Sequence, residues 1–97
     1  MVKNKSFTHT FTYEANTYNV FHVDKGEGIA QHQHDFSHAT ICHAGSCVVR
    51  KHNKEKIIDK NTGALNLKAN EWHEIEALED NTVFVNIFPT DNNYGNL

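Results

Sequence analysis

The sequence predicts an all-β protein, a single antiparallel β-barrel or sandwich of the jelly-roll type. Hydrophobic and polar residues alternate along most of the chain, which is the period of half-buried strands. No segment longer than a turn carries a helical stripe, and the only proline, Pro89, falls where the last strand should end. Ninety-seven residues, 38% of them hydrophobic, suffice for one core. Residues 1–97 are therefore expected to form one domain.

The strands can be placed in order along the chain. Phe7, Phe11 and Tyr13 share one parity and would form the apolar face of a first, half-buried strand. Residues 18–23 form an aromatic and β-branched run that turn residues 24–28 interrupt. Further short segments follow at 29–34, 38–42, 47–51, 56–59, 64–67, 72–78 and 82–88. Such spacing favours a sandwich or barrel, and polar residues 91–97 are expected to form a flexible tail.

Charge and hydropathy exclude several classes of partner. The formal net charge is −3, and Glu55 interrupts the densest basic patch, Lys51, Lys54 and Lys56, so a solvated hairpin tip is expected there and no nucleic-acid partner. Residues 1–10 lack the apolar core of a secretory signal, and no stretch approaches the roughly 20 apolar residues of a membrane span. A cytoplasmic location without membrane contact is expected.

Cys42 and Cys47 are the only cysteines. If Ala44 and Gly45 form a hairpin turn, the two thiols would lie opposite each other on neighbouring strands. Two cysteines in a chain of this size do not suggest a secreted disulfide scaffold. A reduced, buried pair is expected, with redox sensitivity as the alternative.

Four histidines are the candidate metal ligands: His32, His34, His38 and His73. On an extended strand His32 and His34 point to the same side, and His38 can begin the next strand on the interior parity, ahead of Thr40. His73 would then reach the site from across the barrel. One interior histidine is usually a hydrogen-bonded core residue, but four imidazoles at these spacings favour a metal site.

The spacing Gly28-x3-His32-x-His34-x3-His38-x6-Gly45, followed by Gly63-x9-His73, resembles the two motifs of a small single-domain cupin. The resemblance implies a jelly-roll barrel, also called a double-stranded β-helix. It also implies a divalent transition metal, either Fe, Mn, Ni, Zn or Cu, with His32 and His34 as the paired ligands and His73 as the last one.

The chain departs from the cupin pattern in two places. His38 occupies the position of the family's usual glutamate, and the second motif lacks the family's proline and second glycine before His73. An imidazole in place of a carboxylate removes one negative charge from the ligand set, so a bound ion would be a stronger Lewis acid. His38 could also lie near a three-histidine site without binding the metal.

Two functions remain open. The first is a metal-dependent enzyme of the oxygenase or dioxygenase type that acts on a small molecule, and the second is a non-catalytic module that binds or senses a metal or small ligand. A metal-free structural barrel is the third reading. A homodimer is also expected, with Phe7, Phe11 and Tyr13 at the contact.

Overall fold

Ten β-strands form two five-stranded sheets in the computed structural model, which describes residues 2–32 and 36–90. Sheet I has the strand order β1-β4-β9-β6-β7 and sheet II the order β2-β3-β10-β5-β8. The strands are β1 (Lys3–Asn4), β2 (His9–Tyr13), β3 (Asn16–Val23), β4 (Glu27–His32), β5 (His38–Ala44), β6 (Ser46–Lys51), β7 (Lys54–Asp59), β8 (Leu65–Leu67), β9 (His73–Ala77) and β10 (Thr82–Pro89).

The predicted all-β class is confirmed, since two packed sheets account for every regular element of the described residues. Strand pairs are antiparallel except for β1, which runs parallel to β4. The described residues contain no helix that could cross a membrane. Met1, residues 33–35 and the predicted tail at 91–97 lie outside the described residues.

The core lies between the two sheets, and residues that face it alternate along the strands with residues that face outward. In β10, every second residue from Thr82 to Phe88 is buried, and the Phe84 ring stacks on Phe21 of β3 at 4.7 Å. Sheet I contributes Ile58 and Ile75, both without measurable exposure. Antiparallel sheets that pack on one face produce this alternation.

The prediction that the first strand is half-buried is wrong. All five residues of β2 are exposed, including Phe11 at 51% and Tyr13 at 64%, because β2 is the edge strand of sheet II. Phe7 precedes β2 and is 44% exposed, and its ring meets Phe21 edge-on at 6.1 Å between the edges of the two sheets. The three aromatic residues therefore do not share one surface.

The prediction that Cys42 and Cys47 lie on neighbouring strands of a hairpin is also wrong. Cys42 belongs to β5 in sheet II and Cys47 to β6 in sheet I. Between them the chain crosses from one sheet to the other at Gly45, which has φ +72° and lies so close to Thr82 that a Cβ would overlap its side chain. The thiols therefore meet across the core, where both are buried and unlinked, as a reduced pair should be.

Candidate metal centre

His32, His38 and His73 come together at one end of the sandwich. His32 of β4 and His73 of β9 are directly opposite each other in sheet I, with ring centroids 4.5 Å apart. His38 begins β5 in sheet II, and its ring centroid lies 5.2 Å from that of His73. His73 is therefore beside His32, not across the barrel from it as predicted. The residue that reaches across is His38.

The fourth predicted ligand, His34, lies outside the described residues, as does its neighbour Asp35. Within residues 2–32 and 36–90, no group of three or more His, Cys, Asp or Glu side chains has the arrangement of a complete metal site. The four-histidine site therefore stays a prediction, of which the structure brings three members together.

A β-bulge gives His32 its position. Ile29 lies opposite Ile75 and His32 opposite His73, so β4 spans three residue steps where β9 spans two. Without the extra residue, the inward position after Ile29 would be Gln31, and His32 would face outward. Just before the bulge, β4 passes so close to β9 that a Cβ at Gly28 would overlap the carbonyl of Ile75.

The hydrogen bonds of the three rings assign the role of each Nδ1 atom. His32 Nδ1 lies 2.9 Å from the Ala30 carbonyl and His73 Nδ1 lies 3.1 Å from the Glu71 carbonyl. A carbonyl oxygen can only accept, so both Nδ1 atoms donate and both Nε2 atoms carry the lone pair of the neutral ring.

Thr40 assigns the same tautomer to His38. The Thr40 hydroxyl donates to Asn86 Oδ1 at 2.7 Å, which leaves its oxygen to accept from His38 Nδ1 at 3.3 Å. His38 Nδ1 also lies 3.4 Å from the Ala39 carbonyl. The ligand-type nitrogen of His38 is therefore Nε2, which faces His73.

The Nε2 atoms of His38 and His73 are 3.3 Å apart in a buried environment. Two neutral rings with these tautomers would point lone pairs at each other, a repulsion that a bound cation or a shared proton removes. Two nitrogens each about 2.0–2.1 Å from one ion, at a near-tetrahedral angle, are separated by about 3.3 Å. The residues present therefore fit a transition metal.

A buried polar row in sheet II reaches His38 through Thr40, and its two asparagines were not predicted from the sequence. Asn19, Asn86 and Thr40 are neighbours in register on β3, β10 and β5, and each is at most 3% exposed. The Asn19 carbonyl oxygen accepts from Thr10 at 2.7 Å. The Asn86 Nδ2 atom has no hydrogen-bond partner among the described residues. The sequence signal that could have revealed this row was a polar residue at an inward-facing position among the mostly apolar residues of β3 and of β10.

An open cavity of about 530 Å³ lies between the edges of the two sheets, beside this row. Phe7, Phe21 and Ile29 supply its apolar walls, and Asn19 and His32 its polar groups. None of these wall residues except His32 was expected at a site. Phe36, which packs on Phe88, and Trp72, which packs on His52, do not line this cavity.

The two thiols have no reactive character. Burial raises the pKa of the Cys42 and Cys47 thiols above their ordinary value, so both stay protonated at neutral pH. Cys42 lies four residues beyond His38 on β5, towards the opposite end of the strand. The remaining histidines, His9, His22, His43 and His52, are exposed.

Neither a protein-family model nor a curated protein matches the sequence. Solved structures do resemble this chain. A cupin-2 domain protein from Halorhodospira halophila aligns with 86% of this chain and 62% of its own, at a TM-score of 0.74 and 18% identity.

Two further structures extend the likeness. A cupin superfamily protein from Desulfitobacterium hafniense aligns over 88% of this chain and 81% of its own, at a TM-score of 0.69 and 11% identity. A cupin protein from Bacteroides fragilis aligns over 93% and 89%, at 0.65 and 12%. At these identities the likeness concerns the fold. The chain has the fold of the cupins, as the histidine and glycine spacing implied.

Proposed function

We propose that this protein is a small metal-binding cupin and a metal-dependent oxygenase-type enzyme that acts on a small molecule. The Nε2 atoms of His32, His38 and His73 would hold a divalent transition metal, with His34 as the fourth ligand. The observation that carries this proposal is the 3.3 Å approach of the His38 and His73 Nε2 atoms, with both Nδ1 atoms engaged as donors.

The chain supplies nitrogen ligands. Because neutral imidazoles carry no charge, a bound ion would keep its full charge and would polarise a molecule bound beside it. A redox-active ion with open positions would supply dioxygen chemistry, whereas zinc would supply hydrolysis. The carbonyls of Ala30 and Glu71 and the Thr40 hydroxyl hold the rings in the tautomer that this requires.

The cavity beside His32 supports a small, partly apolar substrate. Phe7, Phe21 and Ile29 would contact its apolar body, and Asn19 would bind a polar group. Lys5, at the rim, is 3.6 Å from Glu27 and 45% exposed, so it can also meet an acidic group. An uncharged or singly acidic molecule with an aromatic or branched aliphatic body fits these walls.

Metal content and metal-dependent stability test the proposal. Protein prepared without a histidine tag should contain close to one metal ion per chain by elemental analysis. Adding Fe(II), Mn(II) or Zn(II) at a hundredfold excess over the dissociation constant should stabilise the fold by about 2.7 kcal/mol. His73→Ala should abolish this effect, and His43→Ala, an exposed histidine on the same strand as His38, should preserve it. Metal content near zero with no rise in melting temperature would overturn the proposal.

A second candidate function is a metal or ligand sensor without turnover. It is favoured by the described cavity walls, which hold no Asp, Glu or Cys and so no acid or base other than His32 and Lys5. Oxygen consumption by the iron-loaded protein across a broad screen of small aromatic and aliphatic acids separates the two. Turnover of any of them supports the enzyme, whereas metal binding without any turnover supports the sensor.

A further inference from the structure

The outer face of sheet II is apolar across four strands. The side chains that share this face are Phe11 and Tyr13 of β2, Tyr18 and Val20 of β3, Val83, Val85 and Ile87 of β10, and Ala39 and Ile41 of β5. All of them are exposed or partly exposed. Phe11 stacks on Tyr18 at 4.8 Å with nearly parallel rings, so the face continues unbroken onto the edge strand.

Strand β10 makes this face unusual. Its inward residues, such as Phe84 and Phe88, are buried in the core, and its outward residues Val83, Val85 and Ile87 are apolar too. An antiparallel strand with one face in water alternates apolar and polar residues, whereas a strand that is covered on both faces is apolar throughout. The central strand of sheet II therefore has the composition of a strand that is covered on both sides.

The outer face is also uncharged. None of the strand residues described on this face is Asp, Glu, Lys or Arg; its polar members are His9, His22, His43, Asn16 and Asn66. The formal charge of the chain, −3, lies elsewhere. Two copies of this face can therefore approach each other without like-charge repulsion, and a strongly charged partner would find no opposite charge to pair with.

The size of the face suits an interface of moderate affinity. Four strands about 4.8 Å apart and up to eight residues of about 3.4 Å long cover roughly 500 Å² in projection, and more in accessible area. A standard stable interface buries about 800 Å² on each side. A single apolar patch of this size is at the upper limit for a monomer.

We propose that the outer face of sheet II binds a second copy of this chain in a two-fold symmetric homodimer. Val85 lies near the centre of the interface, and Phe11 and Tyr13 extend it onto β2. A closed two-fold dimer covers the same face on both subunits, so this face is not left open to a third copy. The proposal does not depend on the metal centre, which opens between the edges of the sheets.

Light scattering after size exclusion tests the proposal across a range of protein concentrations. The wild-type chain should give about 22 kDa, twice the 11.1 kDa of one chain. Val85→Lys places two unpaired ammonium groups at the centre of the interface and should weaken dimerisation by roughly 100-fold. The matched control is Ile57→Lys, since Ile57 is an apolar residue that is 62% exposed on the other sheet. This control should leave the dimer unchanged.

Phe11→Lys provides a second variant in case Val85→Lys fails to fold, since Phe11 is already 51% exposed in a single copy. It should also shift the mass towards 11 kDa while the circular dichroism spectrum stays that of the wild type. A wild-type mass of 11 kDa at every concentration would overturn the proposal. So would a dimer that survives Phe11→Lys and dissociates on Ile57→Lys.

Discussion

The two sheets enclose the same core but present opposite chemistry outward. On sheet I, Arg50 donates to Glu74 at 2.8 Å and to Glu76 at 2.7 Å, and lies 3.5 Å from Glu55. The corresponding surface of sheet II is occupied by valine, isoleucine and aromatic side chains. Both sheets contribute apolar residues to the core, although sheet II also carries the buried polar row, whereas their outer residues differ in charge. In the proposed homodimer, sheet I would face water and the outer face of sheet II would face the second copy.

The largest expected effect on the free energy of unfolding distinguishes the inward face of β10 from its outward face. Phe84→Ala should lower the free energy of unfolding by about 3–5 kcal/mol at every protein concentration, because it opens a cavity in the shared core. Val85→Ala, one residue along and facing outward, should cost much less, and its cost should grow with protein concentration as the dimer forms. Urea denaturation at low and high protein concentration measures both. Equal, concentration-independent losses would contradict the assignment of the two faces.

Two threonines buried in sheet II, Thr40 and Thr82, differ in their distance from the histidines: Thr40 contacts His38, and Thr82 lies at the other end of the sheet. Thr40→Val removes the hydroxyl between Asn86 and His38 and should cost about 1–3 kcal/mol, because the buried Asn86 Oδ1 loses its donor and His38 Nδ1 loses one of its acceptors. It should also weaken metal binding by about 10–100-fold, since Thr40 holds the His38 ring.

Thr82→Val is the control for this prediction. Thr82 is equally buried in sheet II but donates to the Glu79 carbonyl at 2.8 Å, far from the histidines along β10. It should reduce stability without changing metal affinity in a calorimetric titration. If both variants weakened metal binding alike, Thr40 would have no positioning role.

The thiols, one from each sheet, should make stability depend on alkaline pH. Burial raises the pKa of Cys42 and Cys47 above the unfolded value of 9.0. Below pH 9 the thiols are protonated in both states. As the pH rises above 9, they ionise only in the unfolded chain, so stability should fall by up to about 1.4 kcal/mol per pH unit for each thiol.

Chemical denaturation of the wild type and of a Cys42→Ala/Cys47→Ala variant at pH 8 and pH 10 measures this effect. The comparison separates the contribution of the thiols to the pH dependence of stability from that of the tyrosines and lysines. The variant should lose less stability over the interval. An identical loss in both proteins would show that the thiols do not titrate between the two states.

The charged face of sheet I should contribute a smaller amount. Hydrogen bonds with Glu76 and Glu74 raise the pKa of Arg50, which keeps its charge throughout. Arg50→Gln leaves three carboxylates close together and should cost about 1 kcal/mol at low salt and less at high salt. Lys51→Gln, which loses the single partner Glu71 at 3.2 Å, should cost less. Thermal unfolding at two ionic strengths compares them, and a loss that does not respond to salt would contradict the electrostatic origin.

The smallest effect concerns the edge of sheet II. Glu14 and Ala15 form the two-residue turn between β2 and β3, with φ of 51° and 65°. Such turns favour asparagine and glycine because other side chains are strained at positive φ. Ala15→Gly should therefore stabilise the protein by about 0.5–1 kcal/mol. Ala64→Gly, in an exposed loop without positive φ, should be neutral or slightly destabilising. A loss of stability at Ala15 would contradict the strain argument.

Local pattern was enough to predict most of the fold. The prediction that His73, Ile75 and Ala77 share the interior face of their strand is confirmed, because a strand turns successive side chains to opposite sides wherever it lies. The interior parity of His38, Thr40 and Cys42 was predicted for the same reason and agrees with their burial. The role of His34 and the metal itself stay predictions.

Relations between strands could not be predicted in this way. The crossing at Gly45 depends on contact with Thr82, which is far away in sequence. The exposure of β2 follows from its place at the edge of sheet II, which no residue within the strand specifies. The polar row of Asn19, Asn86 and Thr40 assembles from three strands.

The sequence by itself determined that the chain is all-β, which residues of β5 and β9 face inward, and which histidines are candidate ligands, because these properties follow from residue type and a two-residue period. Only the tertiary structure decided that His32 faces His73, that His38 meets them from the other sheet, and that the outer face of sheet II is continuous and apolar. Those features depend on a bulge, on register and on the order of strands in a sheet. Each of these is set by contacts between residues that lie far apart along the chain.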